Sequence, residues 1–236
     1  MRKSGRGSLI VGLTLLAAAC APAPKPIVVA PKPVAPPPAP VIPPMPLPPG
    51  GAAVTMKIPA FGADGVRITP NRNLTREEYI WHLRSGINVD ALNCQGPVWG
   101  EIAQNYNRYL QVHKARLSQT NKAVDAEYVK RFPRQNALRV RDTHSTDLYN
   151  YFALPPVRAE FCDKSLAKSR EIVAIPSSAL PEYSFGALAD LDAVFINFYN
   201  AFEKYKVDIV EWNARYGPRP VVQASAPATA TTVSTK

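Results

Sequence analysis

Proline punctuates this chain and decides where regular structure can form. Of its 25 prolines, 14 lie between residues 21 and 49, in runs such as Ala35-Pro36-Pro37-Pro38 and Pro43-Pro44-Met45-Pro46. Proline has no amide proton to donate and restricts the residue before it, so neither a helix nor a sheet ladder can propagate there. The composition predicts polyproline II, a semi-rigid spacer at about 3.1 Å per residue and thus up to roughly 90 Å long. Pro33-Val34-Ala35-Pro36 also has the spacing of a docking ligand, a spacing any proline-rich stretch produces. Beyond the spacer, Pro97, Pro133, Pro155-Pro156 and Pro218 stand where helical patterns start or stop.

Ahead of the spacer, Arg2, Lys3 and Arg6 precede the apolar run from Leu9 to Leu16, and Ala17, Ala18 and Ala19 lead to Cys20. A basic start, a short apolar run and small residues make a secretion signal in three parts. The run is about half the roughly 20 residues that span a hydrocarbon core, and no later segment is longer or more apolar. The small residues before Cys20 resemble the lipobox of bacterial lipoproteins, with Ala17 standing where leucine is commonest. The resemblance implies diacylation of Cys20, cleavage before it and acylation of the new amino end. Several acyl chains anchor far better than one. Ala21 after the cysteine implies, by the same resemblance, the outer membrane facing the periplasm.

With Cys20 given to lipid, Cys94 and Cys162 remain as an even pair, 68 positions apart. In an oxidising compartment such a pair suggests a disulfide, with two buried free thiols as the alternative. The spacing, without further ligands, argues against zinc. The formal charge of +10 invites a nucleic-acid reading until the charges are located. Three are in the leader, and between Arg76 and Arg215 there are 18 basic and 17 acidic side chains. No nucleic-acid recognition motif accompanies them. Residues 108–141 hold nine basic and two acidic groups, while 160–211 hold five and nine, so the folded part is expected to be dipolar.

Thr55 to Thr69 reads as a short hairpin or extended segment turning at Asp64-Gly65, with Pro59 demoting its first strand. Thr75 and Glu78 form a capping box that starts a first helix, running to about Ser85 with a further turn from Asn88 to Asn93. Trp99, Ile102, Tyr106, Tyr109, His113, Leu117, Thr120, Val124 and Tyr128 recur at threes and fours, predicting one long helix from Pro97 to Arg131. A third helix is predicted over about 134–154 and a fourth over 156–174, divided by Pro155-Pro156. The last helix carries Leu188, Leu191, Phe195, Phe198, Phe202, Tyr205, Ile209, Trp212 and Tyr216 in a coiled-coil-like seam, and Gly217-Pro218 ends it with a left-handed cap. A bond between Cys94 and Cys162 requires alpha carbons within about 7 Å, which selects a kinked third and fourth helix descending together along the long one. The expectation is an all-α, elongated helical bundle with two long helices and a proline-kinked pair, and with the first helix alongside. Its parts are a signal peptide (1–19), lipidated Cys20 with the spacer (20–50), the hairpin or extended segment (51–74), the helical domain (75–217) and a disordered tail (218–236).

Candidate chemistry is sparse. Glu78 and His82 share a helix face and suit a metal or a surface ion pair; His113 lies on an apolar stripe, where a core histidine is the ordinary occupant. His144 has Asp142 and Ser145 near it in sequence, which is not a triad in space. The repeated Glu-x-x-His ligands of a di-metal bundle are not found. The basic turn of Lys130, Arg131, Arg134, Arg139 and Arg141 is the best surface for an anionic partner, unless it faces the acidic final helix instead. These features predict a non-catalytic envelope lipoprotein that needs no cofactor or metal and presents a helical module to a protein or cell-wall polymer. The alternative is a periplasmic enzyme or metal-binding protein that uses histidine and carboxylate side chains.

Overall fold

A computed structural model describes residues 41–133 and 135–218. The expected signal peptide, Cys20, the spacer up to residue 40, Arg134 and the tail from residue 219 lie outside them. The described residues form an all-α bundle of six helices: α1 (Arg76–Asn93), α2 (Glu101–Val112), α3 (Lys114–Arg131), α4 (Ala137–Phe152), α5 (Arg158–Ile172) and α6 (Leu180–Tyr216).

The capping box starts α1 as expected: the Glu78 amide donates to Thr75 Oγ1 at 3.2 Å, and the Thr75 amide donates to Glu78 Oε2 at 2.9 Å. The helix then continues past Ser85 to Asn93 without a break. Gly86 sits in its middle because a Cβ there would meet the Phe152 ring at 3.3 Å, so its bare backbone lets α4 approach. The first helix is therefore not a flanking element. It packs against every other helix, with Ile80, Leu83 and Ile87 fully buried.

The predicted long helix divides at His113, whose φ of −103° and ψ of 16° separate α2 from α3. The cause is a side chain: His113 Nε2 donates to the Ile172 carbonyl at 2.8 Å, and Nδ1 faces the Ser177 hydroxyl at 2.9 Å. Hydrophobic spacing cannot foresee a bond to the α5–α6 connection. On the return, α4 lies on α3 and α5 on α2, with a 3-10 turn at Pro155–Val157 between them. Cys94, capping α1, is disulfide-bonded to Cys162 on α5, with alpha carbons 5.7 Å apart.

The seam of α6 is fully buried from Leu188 to Tyr205, after which Ile209 and Trp212 are half-buried and Tyr216 is exposed. Gly217 is not left-handed; its φ is −67°. It is glycine because a Cβ would lie 2.5 Å from the Asn213 carbonyl oxygen that its own amide bonds.

No strand forms among the described residues. Where a hairpin was expected, a single antiparallel bridge joins Phe61 and Arg67, and Gly65 turns at φ +74°. Arg67 donates to the Pro59 carbonyl at 2.8 Å with its guanidinium and is held from α6 by Asn200 and Glu203. Residues 42–50, expected as spacer, lie against the bundle: Pro43, Pro44 and Pro46 border Trp212 and Tyr216, and Pro49–Gly51 touches α6.

Candidate functional site

The basic turn is largely occupied from within. Arg131 donates to both carboxylate oxygens of Glu78, at 2.9 and 3.1 Å. Arg141 pairs with Asp125, donates to Asn121 Oδ1 at 2.7 Å and stacks on the Trp81 ring at 4.8 Å. Its destination is α1 and α3, not the acidic final helix. Lys130 and Arg139 stay exposed, and Arg134 lies outside the described residues. Burial pushes Glu78 up, but Arg131 and the Thr75 amide more than offset this and hold it below the usual carboxylate range.

Both Glu78 oxygens are thereby taken by Arg131 and the Thr75 amide, and no hydrogen bond joins Glu78 to His82 among the described residues. His82 is buried and faces His144 instead, Nε2 to Nε2 at 3.3 Å. Asp142 and Ser145, the sequence neighbours of His144, take no part in that contact.

From this pair a hydrogen-bonded chain crosses the bundle. His82 Nδ1 lies 2.9 Å from Asn71 Oδ1, and Asn71 Nδ2 donates to Asp192 Oδ1 at 2.7 Å. The Tyr151 hydroxyl donates to the same oxygen at 2.7 Å. Directions follow from the acceptor at the end. Because Asn71 gives its amide protons to Asp192, its carbonyl meets His82, which must carry its proton on Nδ1. His82 Nε2 is left with a lone pair, and His144 can supply the proton between them. Burial first, then the neighbouring His144, pull His82 down to about 3, while Glu78 works the other way. Burial also lowers His144 and raises Asp192, the latter against the bonds from Asn71 and Tyr151.

Asp192 opens on a cavity of about 330 Å³ between α6 and the loop that replaced the hairpin. Phe61, Val66 and Ile196 supply apolar wall; Thr69, Asn71 and Asn200 supply polar wall. The loop is clamped by Arg67, only 3% exposed, whose Nε and Nη2 donate to Asn200 Oδ1 at 3.1 and 2.9 Å. Arg67 also pairs with Glu203 and covers the Phe61 ring at 4.1 Å. A buried arginine with three partners holds its loop firmly, since its truncation would strand them. Sequence reading missed Asn71, Tyr151 and Asp192. The available signal was Asp192 itself, a carboxylate four residues after Leu188 and three before Phe195, on the apolar face of α6.

The disulfide corner offers no metal site. Asp90, Cys94 and Cys162 converge, but both sulfurs are used by each other. Burial raises Asp90 to about 8. No family model, curated protein or solved structure matches this chain.

Proposed function

We propose that the mature chain is a non-catalytic envelope lipoprotein, held by lipid on Cys20 and presenting its elongated helical bundle to a protein or cell-wall partner. The observation that carries this reading is the way the proline-rich segment joins the bundle. Trp212 Nε1 donates to the Pro43 carbonyl at 2.9 Å, beside Pro44 and Pro46, an indole-to-proline contact of the kind that recognises polyproline II. The contact lies near the C-terminal end of α6, beside Tyr216. The engagement of His82, His113, His144, Arg131 and Arg141 in internal bonds supports a structural role for residues that would otherwise suggest catalysis. Lys130 and Arg139, exposed beside Val129 and Leu138, form the surface left for a partner.

Two measurements test it. Mass spectrometry of the mature amino end should show an acylated Cys20, and an unmodified end would remove the anchor. Cross-linking in intact cells through a photoreactive residue at Arg139 should capture one envelope component, and capture of none would remove the module.

The second reading, a metal-binding protein, is favoured by the His82–His144 contact. Two Nε2 atoms 3.3 Å apart match the edge of a tetrahedral site with bonds of about 2.0–2.1 Å. Asn71 holds the His82 tautomer such a ligand needs. Metal analysis of protein purified without chelators decides between them: stoichiometric metal lost in both His82→Ala and His144→Ala would replace the non-catalytic reading.

A further inference from the structure

We propose that the cavity beside Asp192 binds a primary ammonium group carried on a short aliphatic arm, as on a lysine side chain. The inference rests on the binding-module reading above and names the chemistry that one of its sites would recognise.

Charge selects the head group. Both arginines on the cavity wall are already neutralised, Arg67 by Glu203 and Arg72 by Asp64. Asp192 has no cation among the described residues, so the cavity holds one uncompensated negative charge. The carboxylate is also half used in a particular way. Oδ1 receives both protein donors, Asn71 and Tyr151, whereas Oδ2 receives none among the described residues. A ligand with N–H donors and a positive charge would complete it. An anion would be repelled, and a neutral donor would leave the charge unmet.

Shape selects the arm. Phe61, Val66 and Ile196 border the cavity with apolar surface, while Asn71 and the carboxylate it bonds form the polar end; Asn200, two turns further along α6, is taken up by Arg67. A chain of methylenes can lie along the apolar border with its ammonium reaching the polar end. The site is also built before any ligand enters: Tyr151 and the His82–Asn71 pair hold Asp192, and Arg67 holds the loop. Ordering done in advance lowers what association must offset.

The test uses the full mature chain labelled with nitrogen-15 and two probes, Nα-acetyl-lysine methylamide and its uncharged analogue Nα-acetyl-norleucine methylamide. The lysine probe should give saturable amide shifts at Thr69, Asn71, Ile196 and Asn200, and the norleucine probe should bind at least tenfold more weakly. Asp192→Asn should weaken the lysine probe tenfold or more, while Asp190→Asn, an exposed neighbour, leaves it unchanged. Should Asp192→Asn fail to fold, Ile196→Trp fills the cavity with the carboxylate intact and should abolish the shifts. Equal binding of the two probes, or full binding after either cavity substitution, overturns the proposal. Failure of the lysine probe with cross-linking at Arg139 intact removes this site alone. Loss of the cross-link with probe binding retained removes the module reading.

Discussion

The two ends of α1 are fastened by opposite chemistries. At its start Glu77 accepts two bonds from Arg116, at 2.7 and 2.9 Å, while Glu78 is held by Arg131 and the Thr75 amide. Both arginines belong to α3, near its opposite ends, so α3 grips the first turn of α1 with charge. At its finish there is a covalent bond to α5 and, against it, a buried acid with its Oδ1 3.3 Å from Cys94 Sγ. Since α1 touches every other helix, whatever loosens either end loosens the bundle. Charge yields to truncation and pH; the covalent end yields to reduction. The comparison teaches that one central helix can be secured against two different insults at once.

Breaking the covalent end should have the largest effect. Replacing Cys94 and Cys162 together by alanine should lower stability by about 4 kcal/mol, the chain-entropy value for a loop of this length. Urea unfolding of the oxidised protein and the double variant measures it, and equal midpoints would erase the contrast. At the charged end, Glu78→Ala should cost about 3 kcal/mol, because it removes the buried partner of Arg131 and the carboxylate that accepts from the Thr75 amide in the capping box. The neighbouring Glu77→Ala should cost roughly 1 kcal/mol, since both members of its pair reach solvent. Equal losses for the two glutamates would show that burial is not what distinguishes them.

Asp90 gives the covalent end a pH dependence of its own. Its folded value of about 8 lies above its ordinary 3.8, so its contribution is complete below about pH 4 and is lost as pH rises toward 8. Asp90→Asn should therefore match the wild type near pH 4 and exceed it by on the order of 2 kcal/mol near pH 8. His82 has the reverse sign. Folded at about 3 and ordinarily at 6.5, it contributes above pH 6.5 and loses that contribution as pH falls toward 3. Urea midpoints across pH 3–8 should show the Asp90→Asn advantage absent below about pH 4 and growing steadily from there toward pH 8; a difference independent of pH would refute the assignment. The smallest effect is expected at the tether. Trp212→Phe removes one bond to Pro43 and should cost about 1 kcal/mol or less, seen as faster proteolysis near residue 43 with the bundle's midpoint nearly unchanged.

How far each feature was legible depended on how local its cause is. The Thr75–Glu78 box was readable because hydroxyl, carboxylate and amide lie within one turn. The α6 seam was readable because its period is built into the chain, yet its full burial ends at Tyr205. The first helix was expected to pause after Ser85 and instead runs on through Gly86, where the Phe152 ring packs from another helix. His113 looked like an ordinary stripe residue and is a break, because its partners are the last carbonyl of α5 and Ser177 in the α5–α6 connection.

By itself the sequence determined the all-α class, the capped start of α1 at Thr75 and the end of α6 at Gly217, and it left Cys94 and Cys162 as the even pair. Proline exclusion, capping bonds, hydrophobic period and cysteine parity all act over short range or by simple count. Only the tertiary structure decided that α1 is central, that the last prolines lie on Trp212, and that Asn71, Tyr151 and Asp192 meet. Those three residues are separated by 80 and 41 positions, and no local preference in the chain favours their meeting. They converge because Tyr151 of α4 stacks on Phe195 of α6 at 4.5 Å, one turn from Asp192, and the loop ahead of α1 brings Asn71 across to the same carboxylate.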